Sequence, residues 1–103
     1  MIPTYFAFRG IDKPGSYALR LRLRPLHRAY IRTARPDCRV VAGGPLVQDD
    51  GQDMIGTLLI LEAGDRAAAE RFLSEDPYMQ AELFARTELQ RWAWGLGEPR
   101  PDH

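Results

Sequence analysis

The chain has 103 residues, of which 45% are apolar and 27% charged, and its formal net charge is zero. This length fits one domain with a single modest core, and no apolar run approaches the roughly 20 residues of a membrane-spanning helix. The charge is unevenly divided, because residues 1–48 carry nine Arg or Lys against two Asp, whereas residues 49–103 carry five Arg against twelve Asp or Glu. This pattern suits an anionic small molecule or a second subunit as partner, and argues against nucleic acid. A membrane is not expected as partner either, because no apolar run is long enough to span one.

The single cysteine, Cys38, excludes an internal disulfide and is typical of a reducing compartment. It precedes an apolar run, which favours a small core or loop residue over a reactive thiol. The N-terminus also lacks the basic-then-apolar layout of a signal peptide. The sequence therefore predicts a cytoplasmic protein.

A strand and a long helix are predicted at the start of the chain. The segment IPTYFAFRG is aromatic and apolar and predicts a strand that ends at Gly10. The later segment LRLRLRPL alternates like a strand, but its Leu and Arg residues favour a helix. We therefore predict a helix over about residues 16–35, capped by Ser16 and kinked or restarted at Pro25. Its inner face is expected at the helically spaced residues Leu19, Leu23, Leu26 and Tyr30.

Two strands joined by a hairpin are predicted next. The segment RVVAGGPL predicts a short strand that ends in Gly43-Gly44-Pro45. Asp50-Gly51 is typical of a hairpin turn, and the most apolar run of the chain, MIGTLLILEA, predicts a buried central strand.

The rest of the chain predicts two helices and a final strand. Asp65 caps an amphipathic helix within GDRAAAERFLSED, and Asp76 caps a short helical turn that begins at Pro77. RTELQRWAWG predicts the last strand, and residues 96–103 form a polar C-terminal tail.

The order of these elements predicts an α+β, ferredoxin-like βαββαβ fold for residues 1–95. Such a domain has a four-stranded antiparallel sheet with both main helices on one face. Bulky aromatic residues such as Tyr5, Trp92 and Trp94 alternate with core positions, so some of them must point away from the helices. We expect a second copy of the chain to cover that face, which gives a homodimer.

Four motifs together resemble the YCII-related (YciI-like) family. They are RPLHRAYI in the first helix, AGGPL in the second strand, DGQDMIGTLLILEA in the hairpin, and ERFLSEDPYMQAELF with its Asp76-Pro77-Tyr78 signature. The resemblance extends from the first strand to about Trp94. The chain departs from the family pattern in the turn before the second strand, which reads RPDC where a glycine is more usual. It implies a ferredoxin-like fold, dimers similar to the dimeric α/β barrels (which include muconolactone isomerases), and a histidine–aspartate pair in a pocket. Some relatives act as dehalogenases on lactone-type aromatic breakdown products.

His27 is the candidate acid or base. On a helix it borders the apolar face, with Leu23 and Tyr30 one turn away. One interpretation is a half-buried histidine that packs on Tyr30; the other, favoured by the resemblance, is proton transfer by an imidazole that titrates near neutral pH. Asp76 is the candidate partner. It either caps its helix only, or caps the helix and also holds the imidazole in one tautomer.

Further residues are candidates for substrate binding. Arg20, Arg24, Arg28 and Arg32 form an i,i+4 row of like charges that calls for acidic partners. Arg24, beside His27, is the candidate clamp for a carboxylate, while an interface or surface role is expected for the others. Gly43, Gly44 and Pro45 form either a turn with positive φ or a wall without side chains beside the substrate. Tyr78 belongs to a group of aromatic residues, with Tyr5, Trp92 and Trp94, that would line either a pocket or an interface.

These residues predict function without a metal or cofactor. His27 has no second histidine nearby, since His103 lies in the tail, and haem or flavin motifs are absent. We expect a small-molecule enzyme in which His27, oriented by Asp76, moves a proton on an apolar, carboxylate-bearing substrate, with a small anionic or aromatic-derived metabolite as its partner. Isomerisation, lactone chemistry and elimination of HX all fit. The alternatives are a dimeric binding or sensing module without turnover, and an interaction domain in which His27 is merely packed.

Overall fold

The computed structural model describes residues 3–97, in which a four-stranded antiparallel sheet packs against helices. The elements in chain order are β1 (Thr4–Asp12), α1 (Tyr17–Ile31), β2 (Cys38–Val47), β3 (Met54–Ala63), α2 (Arg66–Ser74), α3 (Pro77–Gln80) and β4 (Phe84–Trp92). The strand order is β2-β3-β1-β4, and every neighbouring pair is antiparallel. This confirms the predicted α+β, ferredoxin-like βαββαβ fold.

The core lies between the helices and one face of the sheet. Alternation along β1 and β3 sends Phe6, Phe8, Leu59 and Leu61 to this face, where each is at most 4% exposed. The buried side of α2, with Phe72 as its largest residue, packs against them. Burying a Leu or Phe side chain contributes about 1.5–3 kcal/mol, so this cluster fixes the helices on the sheet.

Three local features of the sequence are confirmed where elements begin or turn. The Asp65 carboxylate accepts the N–H of Ala68 at 2.8 Å and caps α2. Asp76 caps α3, and Pro77 occupies the first helical position. Gly51 has a φ of 76° in the β2–β3 turn, which glycine adopts without strain. The short helix α3 then packs against α1.

The first helix is shorter than predicted. α1 ends at Ile31, with Arg32 as its C-cap, and not near residue 35. Pro36 disfavours helical geometry at Arg35 and so prevents continuation through that residue. The helix runs through Pro25 without restarting there. Ser16 stands at the N-cap, but its side chain makes no capping hydrogen bond, since its φ of −102° and ψ of 13° are not those of extended backbone.

The inner face of α1 also differs from the prediction. Leu26 is 61% exposed, and Leu19 and Leu23 are only half-buried. The buried residues of the helix are instead Arg20 and His27. Polar side chains are buried where partners meet them, and both of these residues bond to carboxylates from other elements.

The second strand contains the residues that were predicted to end it. Gly43-Gly44-Pro45 lies inside β2, and neither glycine has positive φ, so the turn interpretation is wrong. A Cβ at Gly43 would lie 2.7 Å from the Leu59 side chain and 2.9 Å from the Leu58 carbonyl oxygen. Glycine is therefore needed here for the close approach of β2 to β3.

The two remaining strands have bounds that differ by two or three residues from the prediction. β1 continues past Gly10 to Asp12, and β4 covers Phe84–Trp92 rather than residues 86–95. A Cβ at Gly10 would lie 2.8 Å from the Phe84 ring. This glycine therefore makes room for the neighbouring strand and does not end its own.

The face of the sheet away from the helices combines apolar and charged side chains. Its central residues by register are Tyr5, Ala7, Leu58 and Ile60. Two ion pairs lie across neighbouring strands, Arg9 with Glu88 and Arg39 with Glu62. We call this surface the open face of the sheet.

Two further sequence predictions concern the membrane and the tail. Within residues 3–97, no helix is long and apolar enough to span a bilayer. Most of the predicted C-terminal tail, residues 98–103, lies outside the described residues, as does His103. The domain boundary near residue 95 stays a prediction.

Candidate functional site

A cavity of about 130 Å³ lies between α1, α3 and the neighbouring strands β2 and β3. An apolar cavity of about 150 Å³ in a protein core holds one benzene molecule, so this space suits one six-membered ring. Its lining combines basic, aromatic, apolar and glycine residues. They are Arg20, Arg24, His27, Arg28, Ile31, Arg32, Gly43, Gly44, Pro45, Thr57, Leu59 and Tyr78.

His27 and Asp76 meet at the wall of this cavity. The Nδ1 atom of His27 lies 2.9 Å from both carboxylate oxygens of Asp76, and both side chains are buried. The Oδ1 atom of Asp76 also accepts the N–H of Tyr78 at 2.8 Å. One carboxylate therefore caps α3 and contacts the imidazole, since a carboxylate oxygen accepts more than one hydrogen bond.

The contact with Asp76 defines which imidazole nitrogen is available to a ligand. A carboxylate accepts a hydrogen bond from Nδ1–H, so the neutral imidazole carries its lone pair on Nε2. Nε2 makes no hydrogen bond to the protein within residues 3–97, whereas His27 lines the cavity. This nitrogen is placed to accept a proton from a bound molecule.

The His27 ring stacks on Tyr78 and not on Tyr30. The His27 and Tyr78 ring centroids are 4.0 Å apart with an interplanar angle of 15°. Tyr30 points to α2 instead, where it packs on Phe72 and donates its hydroxyl to the Phe72 carbonyl oxygen at 2.6 Å. One of the two interpretations of His27, a ring that packs on Tyr30, is therefore wrong in the partner it names.

Tyr78 is fully buried, and its hydroxyl has no hydrogen-bond partner among the described residues. Burial raises the pKa of the Tyr78 hydroxyl above its ordinary value of 10.0, although the nearby charges of Arg20 and Arg24 oppose the rise. The phenol therefore stays protonated at neutral pH and keeps an O–H group that can donate a hydrogen bond.

Arg20 belongs to the site, although an interface or surface role was expected for it. Only 2% of Arg20 is exposed. Its Nε and Nη2 atoms donate to the two oxygens of Asp12 at 2.6 and 2.9 Å, and Nη2 also donates to Thr57 Oγ1 at 2.8 Å. The Cζ atom lies 4.6 Å from the Tyr78 ring centroid. These partners explain why an arginine is buried here.

The other three arginines lie nearer the solvent. Arg24 is half-buried, whereas Arg28 and Arg32 are exposed. Asp12 neutralises Arg20, but no acidic side chain forms an ion pair with Arg24, Arg28 or Arg32 among the described residues. The cavity is therefore basic and favours an anionic ligand.

The segment Gly43-Gly44-Pro45 forms part of the cavity wall. Gly43 is in register with Leu59, which faces the core, so a side chain at Gly43 would point to the helix side of the sheet. Three of the aromatic candidates are absent from the lining, namely Tyr5, Trp92 and Trp94. They contact one another, since Trp94 packs edge-on to both Tyr5 and Trp92.

Two other kinds of site find no support in the described residues. No three His, Cys, Asp or Glu side chains within residues 3–97 come together as metal ligands. Cys38 is buried away from the cavity. Burial, with a smaller contribution from the Asp37 charge, raises the pKa of the Cys38 thiol to about 12, so the thiol stays protonated at neutral pH.

Sequence reasoning missed Arg20, Asp12 and Thr57 as parts of the site. A signal for Arg20 was present, because it lies seven residues before His27 and so on the same side of a helix. Asp12 reaches the helix side of the sheet because it continues the alternation of Phe6, Phe8 and Gly10 along β1. It was missed because the strand was predicted to end at Gly10, two residues earlier.

The fold and the cavity define a small ferredoxin-like domain with a basic pocket that suits one ring. Residues 4–93 match the family model of the YCII-related domain. The chain therefore belongs to the YCII-related family, which confirms the resemblance that its motifs indicated.

Individual relatives agree with this assignment. The chain is similar to Protein YciI of Escherichia coli O6:H1 and of Shigella flexneri, with 27% identity over 84 residues, 77% of this chain and 86% of each relative. It is similar to the structure of 5-chloro-2-hydroxyhydroquinone dehydrochlorinase (TftG) from Burkholderia phenoliruptrix AC1100 in complex with 2,5-dihydroxybenzoquinone. That match has 33% identity and a TM-score of 0.77, and covers 88% of this chain and 95% of the other. An antibiotic biosynthesis monooxygenase, at 18% identity and a TM-score of 0.54 over 88% of this chain and 97% of the other, shares the fold.

Proposed function

We propose that the protein is a small-molecule enzyme in which His27, oriented by Asp76, transfers a proton to or from a ligand in the cavity. The observation that carries this proposal is the contact of Nδ1 with both oxygens of Asp76, which leaves Nε2 for the ligand. A positioned general base or acid of this kind contributes about 10²–10⁴-fold to a rate. The stacked Tyr78 ring supports the imidazole from its face.

The proposed substrate is a single-ring, aromatic-derived metabolite with an anionic group. The cavity volume limits the substrate to a single ring, and the side chains of Ile31 and Leu59 form apolar parts of the wall that this ring would contact. Arg24, half-buried and without an acidic partner among the described residues, is the proposed clamp for a carboxylate. The bound 2,5-dihydroxybenzoquinone of the 33% identical dehydrochlorinase supports this substrate class.

Elimination of HX is the reaction that this arrangement supports best. Nε2 of His27 accepts a proton from the substrate, and the electron pair of the broken bond to hydrogen forms a new π bond. The halide leaves with the electron pair of its bond to carbon, so no oxidant, metal or cofactor takes part. Isomerisation or lactone chemistry would use the same base, followed by return of the proton at a different atom.

The proposal includes a homodimer formed through the open face of the sheet and a location in the cytoplasm. The apolar residues Leu58 and Ile60 on that face support the dimer, since a second copy would bury them. The buried free thiol of Cys38 supports the location, since thiols persist in reducing compartments.

The test is release of chloride from 5-chloro-2-hydroxyhydroquinone, followed in the wild-type protein and in His27→Gln. We expect the substitution to lower kcat/KM by about 100-fold or more, because it removes the proton acceptor. Arg22→Gln is the matched control, since Arg22 is exposed on the same helix and does not line the cavity. It should keep the wild-type rate.

Two outcomes would contradict the proposal. A His27→Gln protein with the wild-type rate would exclude His27 as the base. Binding of 2,5-dihydroxybenzoquinone by a wild-type protein that turns over no chlorinated ring would favour a binding or sensing module. That alternative is favoured by one observation, the basic cavity, because Arg24, Arg28 and Arg32 have no acidic partner among the described residues and would bind an anion without turnover.

A further inference from the structure

A second groove adjoins the cavity between the C-terminal end of α1, the loop that follows it and strand β2. It has a volume of about 400 Å³, and we call it the side groove. Three residues line both spaces, namely Ile31, Arg32 and Gly43. The remaining lining residues are Ala34, Arg39, Val40, Val41 and Ala42. A molecule whose ring lies in the cavity can therefore extend past the shared residues into the side groove.

Gly43 leaves the junction of the two spaces without a side chain. It is in register with Leu59, which faces the core, so a side chain at Gly43 would point to the helix side of the sheet. A Cβ atom there would lie 2.7 Å from the Leu59 side chain, so only glycine fits the backbone at this point. The same glycine that allows β2 to approach β3 thus leaves the cavity and the side groove joined.

The strand that forms one wall of the side groove is irregular at this place. The register of β2 against β3 shifts between Val40 and Ala42, so that Val41 has no Cα partner in β3. Bulges of this kind change the direction of a side chain and are common beside binding sites. Val41 is buried but lies outside the core cluster, and it lines the side groove. The bulge therefore adds an apolar side chain to the wall of the groove.

The charged lining of the side groove consists of two arginines within residues 3–97, and only one of them is neutralised. Arg39 donates Nε–H to the Glu62 carboxylate at 3.1 Å. Arg32 donates from Nη1 to the carbonyl oxygen of Arg28 at 3.0 Å, and forms no ion pair within the same range. Its remaining N–H groups and its charge lie at the junction, where they favour an anionic group.

We propose that the side groove binds a short alkyl chain carried by the substrate ring, and that Arg32 binds a carboxylate at the end of this chain. The substrate class is then a single ring with a carboxyalkyl side chain. The apolar wall suits the methylene groups, and the unpaired guanidinium suits the carboxylate. The proposal rests on the proposed function, because it requires the ring to occupy the cavity beside His27. Arg24 would then bind an acidic group on the ring itself.

The test compares three ligands that share one ring, benzoate, 4-butylbenzoate and 4-(3-carboxypropyl)benzoate. Calorimetry measures their binding without turnover. The wild-type protein should bind 4-butylbenzoate about tenfold or more tightly than benzoate, because each fully buried methylene raises affinity about fourfold and the groove covers the chain in part.

A block of the groove tests where the chain binds. Ala34 is exposed and lines the side groove but not the cavity, so Ala34→Trp fills the groove and leaves the core unchanged. This variant should bind benzoate like the wild type and lose most of the preference for 4-butylbenzoate. Thr33→Trp is the matched control, since Thr33 is also exposed and lines neither space. It should keep the preference.

Removal of the charge at the junction tests the role of Arg32. Arg32→Gln should weaken binding of 4-(3-carboxypropyl)benzoate about threefold or more, as expected for an exposed ion pair, and leave binding of 4-butylbenzoate unchanged. Arg22→Gln removes the same charge from the exposed side of α1, where Arg22 lines neither space. This control should bind all three compounds like the wild type.

Three results would overturn the side groove as a binding site. They are a wild-type protein without preference for the longer ligands, a preference that survives in Ala34→Trp, and no binding of any of the three compounds. Equal weakening of all three ligands by Arg32→Gln, or none, would overturn the contact of Arg32 with the terminal carboxylate. Proton transfer by His27 is tested separately, because the chloride assay uses a substrate without a side chain. A chain preference in a protein that releases no chloride would support the groove and contradict only the proposed reaction.

Discussion

At the scale of single residues, the site depends on side chains that have two tasks each. Asp76 caps α3 and contacts His27. The ring of Tyr78 stacks on the imidazole of His27, and its hydroxyl has no hydrogen-bond partner among the described residues. The local part of this arrangement could be predicted, because a cap and a helix-borne histidine follow from short-range patterns. The seven-residue spacing from His27 placed Arg20 on the same side of the helix, but its burial could not be predicted, because its partners Asp12 and Thr57 come from other elements.

Replacement of Tyr78 by Phe tests the unpartnered hydroxyl. We expect Tyr78→Phe to stabilise the free protein by about 1 kcal/mol, because a buried polar group without a partner costs about 1–3 kcal/mol. The folded-state pKa of Tyr78 is raised above the unfolded value of 10.0, so its contribution to stability is lost as the pH rises above 10. The advantage of the Phe variant should therefore increase at alkaline pH.

Urea denaturation at neutral and alkaline pH measures this difference. Tyr30→Phe is the matched control, since the Tyr30 hydroxyl donates to a carbonyl oxygen and its removal should destabilise the fold. A Tyr78→Phe protein that is less stable than the wild type would show that the hydroxyl has a partner.

At the scale of helices and strands, sequence patterns predicted the kind and order of every main element but not every end. The caps at Asp65 and Asp76 follow from local chemistry, and the structure confirms them. Gly10 and Gly43 indicated strand ends, yet both lie inside strands, because each allows the close approach of a side chain from the neighbouring strand. Contacts between neighbouring strands cannot be predicted from the few residues around one glycine.

The polar inner face of α1 shows the same limit. The leucine spacing predicted an apolar stripe that includes Leu26, which is exposed. Arg20 and His27 are buried instead, because carboxylates at the end of β1 and at the start of α3 meet them. A hydropathy pattern assigns a burial preference to a residue but not the partner that permits its burial.

At the scale of the whole molecule, we expect a dimer that covers the open face of the sheet. The prediction is that Leu58→Asp shifts the protein towards monomers, because it places a charge on that face, where the exposed fraction of Leu58 is 39%. Sedimentation equilibrium measures the mass, which for the wild type should be twice the 11.7 kDa of one chain.

Leu26→Asp is the control for that experiment. Leu26 is more exposed and lies on the outer side of α1, away from the sheet. A wild-type mass of one chain, or a dimer broken by Leu26→Asp and not by Leu58→Asp, would contradict the proposed interface.

The most direct test of the central claim is the tautomer of the His27 ring, read from its ¹⁵N NMR resonances. The substitution His103→Gln leaves His27 as the one imidazole. We predict a protonated Nδ1 and an unprotonated Nε2 in this protein, and loss of that preference when Asp76→Asn is added. A proton on Nε2, or a tautomer that Asp76→Asn does not change, would contradict the proposed role of Asp76 and leave His27 without the lone pair that proton transfer requires.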